Sequence, residues 1–346
     1  MSVNIYGFTL LRNGVKYDYS FRECLLSLAP VCKSVYLALG DNEDSTEEAI
    51  KDLDFLKVIH TKWDLSKREG GVILSEQTNI ALHELRKDKR SEPGSWGFYL
   101  QCDEVLHEDD YGLIQEDFKK AEEMGCDSIA FRYLHFWMDH HSVAINKKWY
   151  PQEIRAVKVD SDLESWGDAQ SFRIAKKVYQ SEARIFHYGH VREQDSYQEK
   201  KVDILKLYHS DEKMAKYKRR ERRFDNQTEC VNFFGTHPKV MHKRIERLKD
   251  FVFPDIVDEV YILGGREDYL GLEDKIYAGR IHWVNSVFEV PAACRKYMVV
   301  LKESLWTKVF YRTKVPMKMR SKLALEWSPD FRLMLLFSEK GIGFKG

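Results

Sequence analysis

The first 135 residues alternate short apolar runs with stretches that carry helix signals. This alternation restricts the fold more than any other feature of the chain. Residues 5–11, 34–39, 57–60, 96–104 and 128–133 read as strands, because each is a compact apolar run bounded by turn or charged residues. Ser20 and Glu23 have capping-box spacing and predict a helix over Phe21–Leu28, stopped by Pro30. Ser45 and Glu48 form a second box after the acidic turn 40–46. Residues 75–86 are helical by pattern, and a further helix is expected over 110–124, closed by Gly125. A βαβαβαβαβ order predicts a parallel sheet with helices on both faces. Ligands of such sheets collect beyond the carboxyl ends of the strands.

The loops at those ends carry acids, Arg and Asn. Neither G-x-G-x-x-G nor G-x-x-x-x-G-K-[ST] occurs, so the sequence lacks a dinucleotide fingerprint and a P-loop. The run Trp96-Gly-Phe-Tyr-Leu-Gln-Cys stops abruptly on Asp103 and Glu104. A carboxylate there can hold a hard divalent cation, and the cation can neutralise a diphosphate. A nucleotide also offers a base and a ribose, which need carboxylate or amide partners at strand ends. Asp41, Asp44 and Asp64 occupy such places. Trp63 can stack on a base, Arg12 can meet the diphosphate or the base edge, and Asn79 can hydrogen-bond from its helix.

Lys and Arg together number 55, as do Asp and Glu, so the chain as a whole is not a basic coat for nucleic acid. The six cysteines are scattered without a C-x-x-C pair, which predicts reduced thiols in a cytoplasmic protein. No leader-like start and no membrane-length apolar run is visible. From His135 to Val191 periodicity weakens and Trp, His and charges cluster, as an acceptor-binding half or an irregular loop region would show. Asp139, His140, His141 and His135 lack the spacing of a structural zinc site. Residues 194–223 read as helical and end in the basic run 216–223. That run and the basic, aromatic tail 300–346 are candidates for peripheral contact with a membrane surface. Residues 259–263 read as a strand before Gly264 and Gly265.

The N-terminal part resembles a family-2-type glycosyltransferase with the GT-A fold, of the kind found in bacterial surface-polysaccharide assembly. The matching pieces are Thr9-Leu-Leu-Arg-Asn13, the turn 40–46, Asn79, Gln101-Cys-Asp103-Glu104, Phe186-His-Tyr-Gly189 and Gly235-Thr-His-Pro238. The likeness covers about residues 3–240. It implies a GT-A-like glycosyltransferase domain over 1–240, with a nucleotide-sugar half (1–135) and an acceptor half (136–240). Residues 241–346 would then be a C-terminal accessory segment. The resemblance also implies sugar transfer, by inversion, from a nucleotide-diphosphate donor to a glycan or lipid-linked acceptor, with Mn²⁺ or Mg²⁺. The family's D-x-D is shortened here to Cys102-Asp103-Glu104, so Asp103 is the expected metal ligand and His187 a candidate second one. A base must take the acceptor proton. Asp168 leads, with Glu153 and Glu104 behind it, and Arg155 is a candidate partner of the leaving group. A sugar nucleotidyltransferase and a non-catalytic nucleotide-sugar-binding assembly protein are the alternatives; the Gly- and Lys/Arg-rich loop that grips a triphosphate is missing after the first strand.

Overall fold

The computed structural model describes residues 3–67, 70–144, 149–191, 230–233 and 235–248, and the strands Glu259–Leu263, Arg280–Val284 and Met298–Val300. The expected helix over 194–223, its basic run and the tail from 301 onward lie outside the described residues. The chain falls into two compact units. The first comprises Met1–His135, Tyr150–Arg220 and His237–Leu248; the second comprises Phe136–Trp149, Glu221–Thr236 and Lys249–Gly346.

The first unit is α/β, a mostly parallel sheet flanked by helices. Strands β1 (Asn4–Leu11), β2 (Val35–Leu39), β3 (Leu56–His60) and β4 (Ser95–Tyr99) run parallel in the order β3-β2-β1-β4. Helices α1 (Phe21–Leu28), α2 (Val72–Lys89) and α3 (Tyr111–Glu123) follow β1, β3 and a short strand β5 (Glu104–Leu106). Apolar side chains divide between the two faces with the strand period of two. Val35, Leu37 and Leu39 join Trp96 and Phe98 in one cluster with Cys24, Leu25 and Leu28 of α1 and Ile114 and Phe118 of α3. Tyr36 and Ala38 join Phe8 and Tyr99 in the other, with Ala81, Leu82 and Leu85 of α2. Both faces are covered at β1, β2 and β4, so these strands are buried nearly throughout rather than alternating, while the edge strand β3 stays partly exposed. Phe98 packs between Phe118 and Phe131, with ring centroids 5.4 and 5.0 Å away. Gly97 keeps the opposite face close: a Cβ there would lie 2.9 Å from the Phe8 ring and 3.2 Å from Leu85 Cδ2.

Two sequence expectations change. The run 96–104 is not one strand. It breaks at Leu100–Asp103 and resumes as β5, which leaves β4 for another sheet position. The strand expected over 128–133, β6 (Ser128–Trp137), does not lie beside β4. Strand β8 (Gln152–Lys158) inserts between them, antiparallel to both. The second capping box also yields only a single 3-10 turn, Glu48–Ile50. That turn has no side-chain cap, and Asp44 instead closes the loop before it, accepting from the Thr46 N–H at 3.0 Å. The first box sets the start of α1 as read, yet Ser20 makes no side-chain cap and its hydroxyl is without a partner among the described residues. Strand β11 (Val178–His190) pairs with β5, and the hairpin of β9 (Glu164–Trp166) and β10 (Ser171–Arg173) packs against α2. The short helix α4 (His242–Leu248) brings Arg244 and Arg247 to Asp18.

In the second unit β7 (Ser142–Ala144) pairs antiparallel with β12 (Cys230–Asn232). Asp139 caps this turn, accepting from the N–H groups of His141 and Ser142. Strands β13 (Glu259–Leu263), β14 (Arg280–Val284) and β15 (Met298–Val300) form a separate parallel sheet in the order β14-β13-β15. Of the cysteines with described side chains, Cys24, Cys32, Cys102 and Cys126 are buried free thiols. Among the described residues no helix is long and apolar enough to cross a membrane.

Candidate functional site

Because β1 to β4 are parallel, the residues after their C-terminal ends share one edge of the sheet. Arg12 and Asn13 follow β1, Asp41 follows β2, Trp63 follows β3, and Asp103 lies in the turn after β4. Arg12 Nε donates to Asp41 Oδ1 at 3.0 Å, and its guanidinium lies 5.6 Å from the Trp63 ring centroid. The Trp63 N–H reaches the same Asp41 oxygen at 3.4 Å. Gly40 makes room for the indole, since a Cβ there would stand 2.6 Å from Trp63 Nε1. Asn13 takes a left-handed backbone (φ 53°) and ties two loops together. Its N–H donates to Asn42 Oδ1 at 2.7 Å, and its Oδ1 accepts from the Glu43 N–H at 2.8 Å. Two buried donors on this edge, Asn13 Nδ2 and Trp63 Nε1, have no hydrogen-bond partner among the described residues. Unpaired buried donors of this kind are costly.

Asp44 and Asp64 serve the loops. Asp44 Oδ2 accepts from the Lys16 N–H at 2.7 Å, and Asp64 caps Ser66 through both the backbone N–H and the hydroxyl.

Asp103 and His187 come together through strand register. β11 runs antiparallel to β5 and sets His187 opposite Glu104. The Tyr188 N–H then donates to the Asp103 carbonyl at 2.8 Å. The side chains converge, with His187 Nε2 3.7 Å from Asp103 Oδ1. Gly189 leaves the space between them open: a Cβ would lie 2.5 Å from His187 Nε2 and 2.9 Å from Asp103 Oδ2. A carboxylate oxygen and an imidazole nitrogen at this separation fit one divalent cation, Mg²⁺ or Mn²⁺. No group of three or more His, Cys, Asp or Glu suited to a metal occurs among the described residues. Behind His187 lies His135, fully buried, with its Nδ1 2.9 Å from His187 Nδ1. His135 is absent from the sequence-based site, because its partner is 52 positions away and no local spacing announces it.

Glu104 and Arg155 take a different place from the one expected. Both are fully buried and form a bidentate pair, Arg155 Nη2 to Oε1 at 2.9 Å and Nε to Oε2 at 3.0 Å. Tyr133 Oη donates to Glu104 Oε1 and the Gln101 N–H to Oε2. Arg155 Nη1 donates to the carbonyls of Ile154 and Gln170. Burial alone lowers the guanidinium pKa; Glu104, together with Tyr133 and Tyr150, more than offsets this and holds it well above its ordinary value. With these oxygens and nitrogens engaged in the core, the pair supports the site rather than receiving an acceptor proton or a leaving diphosphate.

The β9–β10 hairpin carries Asp168 at its turn, where Gly167 and Ala169 both have positive φ (60° and 63°). Gln101 Nε2 donates to the Ala169 carbonyl at 3.4 Å, which holds the turn beside the residues that precede Asp103. Asp168 is half-buried, and its charge is felt by Glu153. Burial, then the carboxylates of Glu104 and Asp168, raise the Glu153 carboxyl above its ordinary value, opposed by the Ser171 hydrogen bond and by Arg155. Asn79 is engaged with this hairpin. Its Oδ1 accepts from the Ser165 N–H at 2.8 Å and its Nδ2 donates to the Ser165 carbonyl at 2.9 Å.

No family model matches the sequence, and no curated protein matches it. Among solved structures, the chain is similar to S. aureus TarS at 12% identity and a TM-score of 0.32, covering 58% of this chain and 39% of that one. It thus spans well under half of that TarS chain. It is also similar to S. aureus TarS 1-349 in complex with UDP (13% identity, TM-score 0.31, 65% of this chain and 71% of that one). A third is 4-diphosphocytidyl-2C-methyl-D-erythritol synthase from Anaerococcus prevotii DSM 20548 (12%, 0.32, 59% and 95%). Likenesses this distant leave the chemistry to be argued from the side chains themselves.

Proposed function

We propose that the first unit transfers a sugar from a nucleoside-diphosphate donor to a hydroxyl of a glycan or lipid-linked acceptor, with inversion. The observation that carries this reading is the convergence of Asp103 and His187 beside Gly189, on the strand-end edge that also holds Arg12, Asp41 and Trp63. The Trp63 ring, with Arg12 steered by Asp41, frames the nucleoside. Asp103 and His187 hold a divalent cation whose charge, when it is bound, balances the diphosphate as it leaves. Asp168 takes the proton from the acceptor hydroxyl as that oxygen bonds to the anomeric carbon and the bond to the diphosphate breaks. Trp166, exposed and stacked under Arg173 at 4.2 Å, supplies an aromatic platform on the same hairpin.

Calorimetry on the full chain with UDP, GDP and CDP, with and without Mn²⁺, tests this. One of the three is expected to bind, and to bind more tightly with Mn²⁺. Asp103→Ala should erase the Mn²⁺ effect. Asp168→Asn should keep nucleotide binding while turnover of the sugar nucleotide falls by about 10²–10⁴-fold. Failure of all three nucleotides to bind would end the proposal. Turnover of a nucleoside triphosphate with a sugar phosphate would replace it with nucleotidyl transfer.

A further inference from the structure

We infer that Arg173 is a binding residue for the acceptor, and that the acceptor carries an oxyanion, a phosphate or carboxylate, close to the hydroxyl that receives the sugar. The inference rests on the transfer reading above and narrows it from any glycan or lipid-linked hydroxyl to an anionic one.

Residues directly opposite one another in an antiparallel hairpin share a face. The register of β9 and β10 sets Trp166 opposite Ser171 and Glu164 opposite Arg173, so these four lie on one face, and Ser165 and Phe172 on the other. The second face is anchored. Phe172 packs on Phe8 and Tyr99, with ring centroids 6.0 and 5.7 Å away, and Ser165 is bracketed by Asn79. On the first face, the acid opposite Arg173 is already taken. Glu164 Oε1 lies 2.6 Å from Arg86 Nη1 and 2.9 Å from His83 Nε2. Arg86 is buried, and a buried guanidinium loses most when its carboxylate is drawn elsewhere. Arg173 instead lies over the diagonal neighbour Trp166, its guanidinium 4.2 Å from the ring centroid. It is exposed and makes no ion pair among the described residues.

Stacking on the indole uses the face of the guanidinium and leaves the N–H groups at its edge unspent. The fork is thereby held in one plane, which suits two parallel hydrogen bonds to an oxyanion. The backbone beside it is also fixed. Ile174, next in the chain, has φ 70°, a conformation that a β-branched residue rarely adopts, and Ala169 of the same hairpin has φ 63°. Such residues persist where the surroundings over-determine them, and they cluster at ligand clamps. Acids stand close by. Asp168 lies at the hairpin turn, and Glu153 accepts a hydrogen bond from Ser171 on the face that Trp166 shares. Carboxylates in these places repel an anion, and the Arg173 charge reverses that balance on the hairpin where the acceptor hydroxyl is to meet Asp168.

The experiment is calorimetry on the full chain with glucose 6-phosphate, glucuronate and glucose as probes. It is paired with ¹⁵N spectra of tryptophan-labelled protein in which the Trp166 indole is assigned from Trp166→Phe. The expected result is that the two anionic sugars bind and shift the Trp166 signal, whereas glucose binds at least about 10-fold more weakly. Arg173→Gln should weaken the anionic sugars by about 10- to 100-fold and leave nucleotide affinity unchanged. Arg173→Lys keeps the charge but not the fork, and should recover only part of that loss. Equal affinity for glucose and glucose 6-phosphate, or anion binding indifferent to Arg173→Gln, overturns the inference. Vesicles of phosphatidylglycerol and of phosphatidylcholine present the other source of the same oxyanion. Arg173-dependent sedimentation with phosphatidylglycerol, with no soluble anionic sugar bound, would assign the residue to a lipid surface and overturn its acceptor role. Failure of UDP, GDP and CDP to bind ends the transfer reading and this inference with it. A bound nucleotide without Arg173-dependent binding of an anionic sugar ends the inference alone.

Discussion

What a carboxylate does in this unit depends on whether its oxygens are already engaged. Asp103 and Glu104 are neighbours in sequence and of similar charge. Asp103 sits in the turn and faces His187, whereas Glu104 begins β5 and points into the core against Arg155. Only the break at 100–103 separates their fates, and an unbroken apolar run conceals it. The strand-end position of Asp103 was therefore legible from its place after an apolar run, while the inward turn of its neighbour was not. His135 was set aside with Asp139, His140 and His141 because the four lack zinc spacing. Its partnership with His187 depends on tertiary register that no local pattern encodes. Glu153 shows the same dependence in its titration. Burial lifts its carboxyl above the ordinary 4.5. The folded state therefore holds this proton more tightly than the unfolded chain does. The resulting stability is complete below the unfolded value and is lost as pH rises through the raised folded one. Glu153→Gln stays neutral throughout. Its melting temperature relative to wild type should thus increase between about pH 4 and pH 7; a difference constant with pH in scanning calorimetry would contradict this.

At the scale of elements, α2 is more than a cover for the sheet. Ser75, Asn79, His83 and Arg86 recur at spacings of four, four and three, which places them on one face. Ser75 donates to the Gly167 carbonyl, Asn79 brackets Ser165, and His83 and Arg86 both meet Glu164. This polar stripe grips the hairpin that carries Trp166 and Asp168. Asn79→Ala should remove two hydrogen bonds and cost about 1–3 kcal/mol. Nucleotide binding should remain and acceptor-dependent turnover should fall, which thermal melts and calorimetry on the same sample can compare. Loss of nucleotide binding with turnover otherwise intact would return Asn79 to the donor site. The helix itself was visible from apolar spacing, and α1 appears with the bounds read from its sequence. The stripe was not visible as such, because its meaning depends on a hairpin some 80 residues later.

Across the first unit, the Glu104–Arg155 pair joins β5, β8, β6 through Tyr133, and the hairpin through Gln170. Arg155→Met would leave the Glu104 charge buried without its partner, at a cost of about 3–5 kcal/mol. Urea titration of that variant should show the loss, and Glu104→Leu combined with Arg155→Met should recover much of it; a double variant no better than the single would argue against the mechanism. The alternation of the first 135 residues announced the α/β class because local periodicity carries it. The insertion of β8 was hidden, since a strand's neighbours are set by the whole chain. That insertion also has a consequence for synthesis. A nascent chain that has emerged only as far as β6 holds two of its most apolar strands, β4 and β6, with facing edges and nothing between them. Until residues 152–158 leave the ribosome the sheet stays split, and its inner edges are open to pairing with another chain. Those edges are exposed during a short interval of translation, well after β1 to β3 have been made.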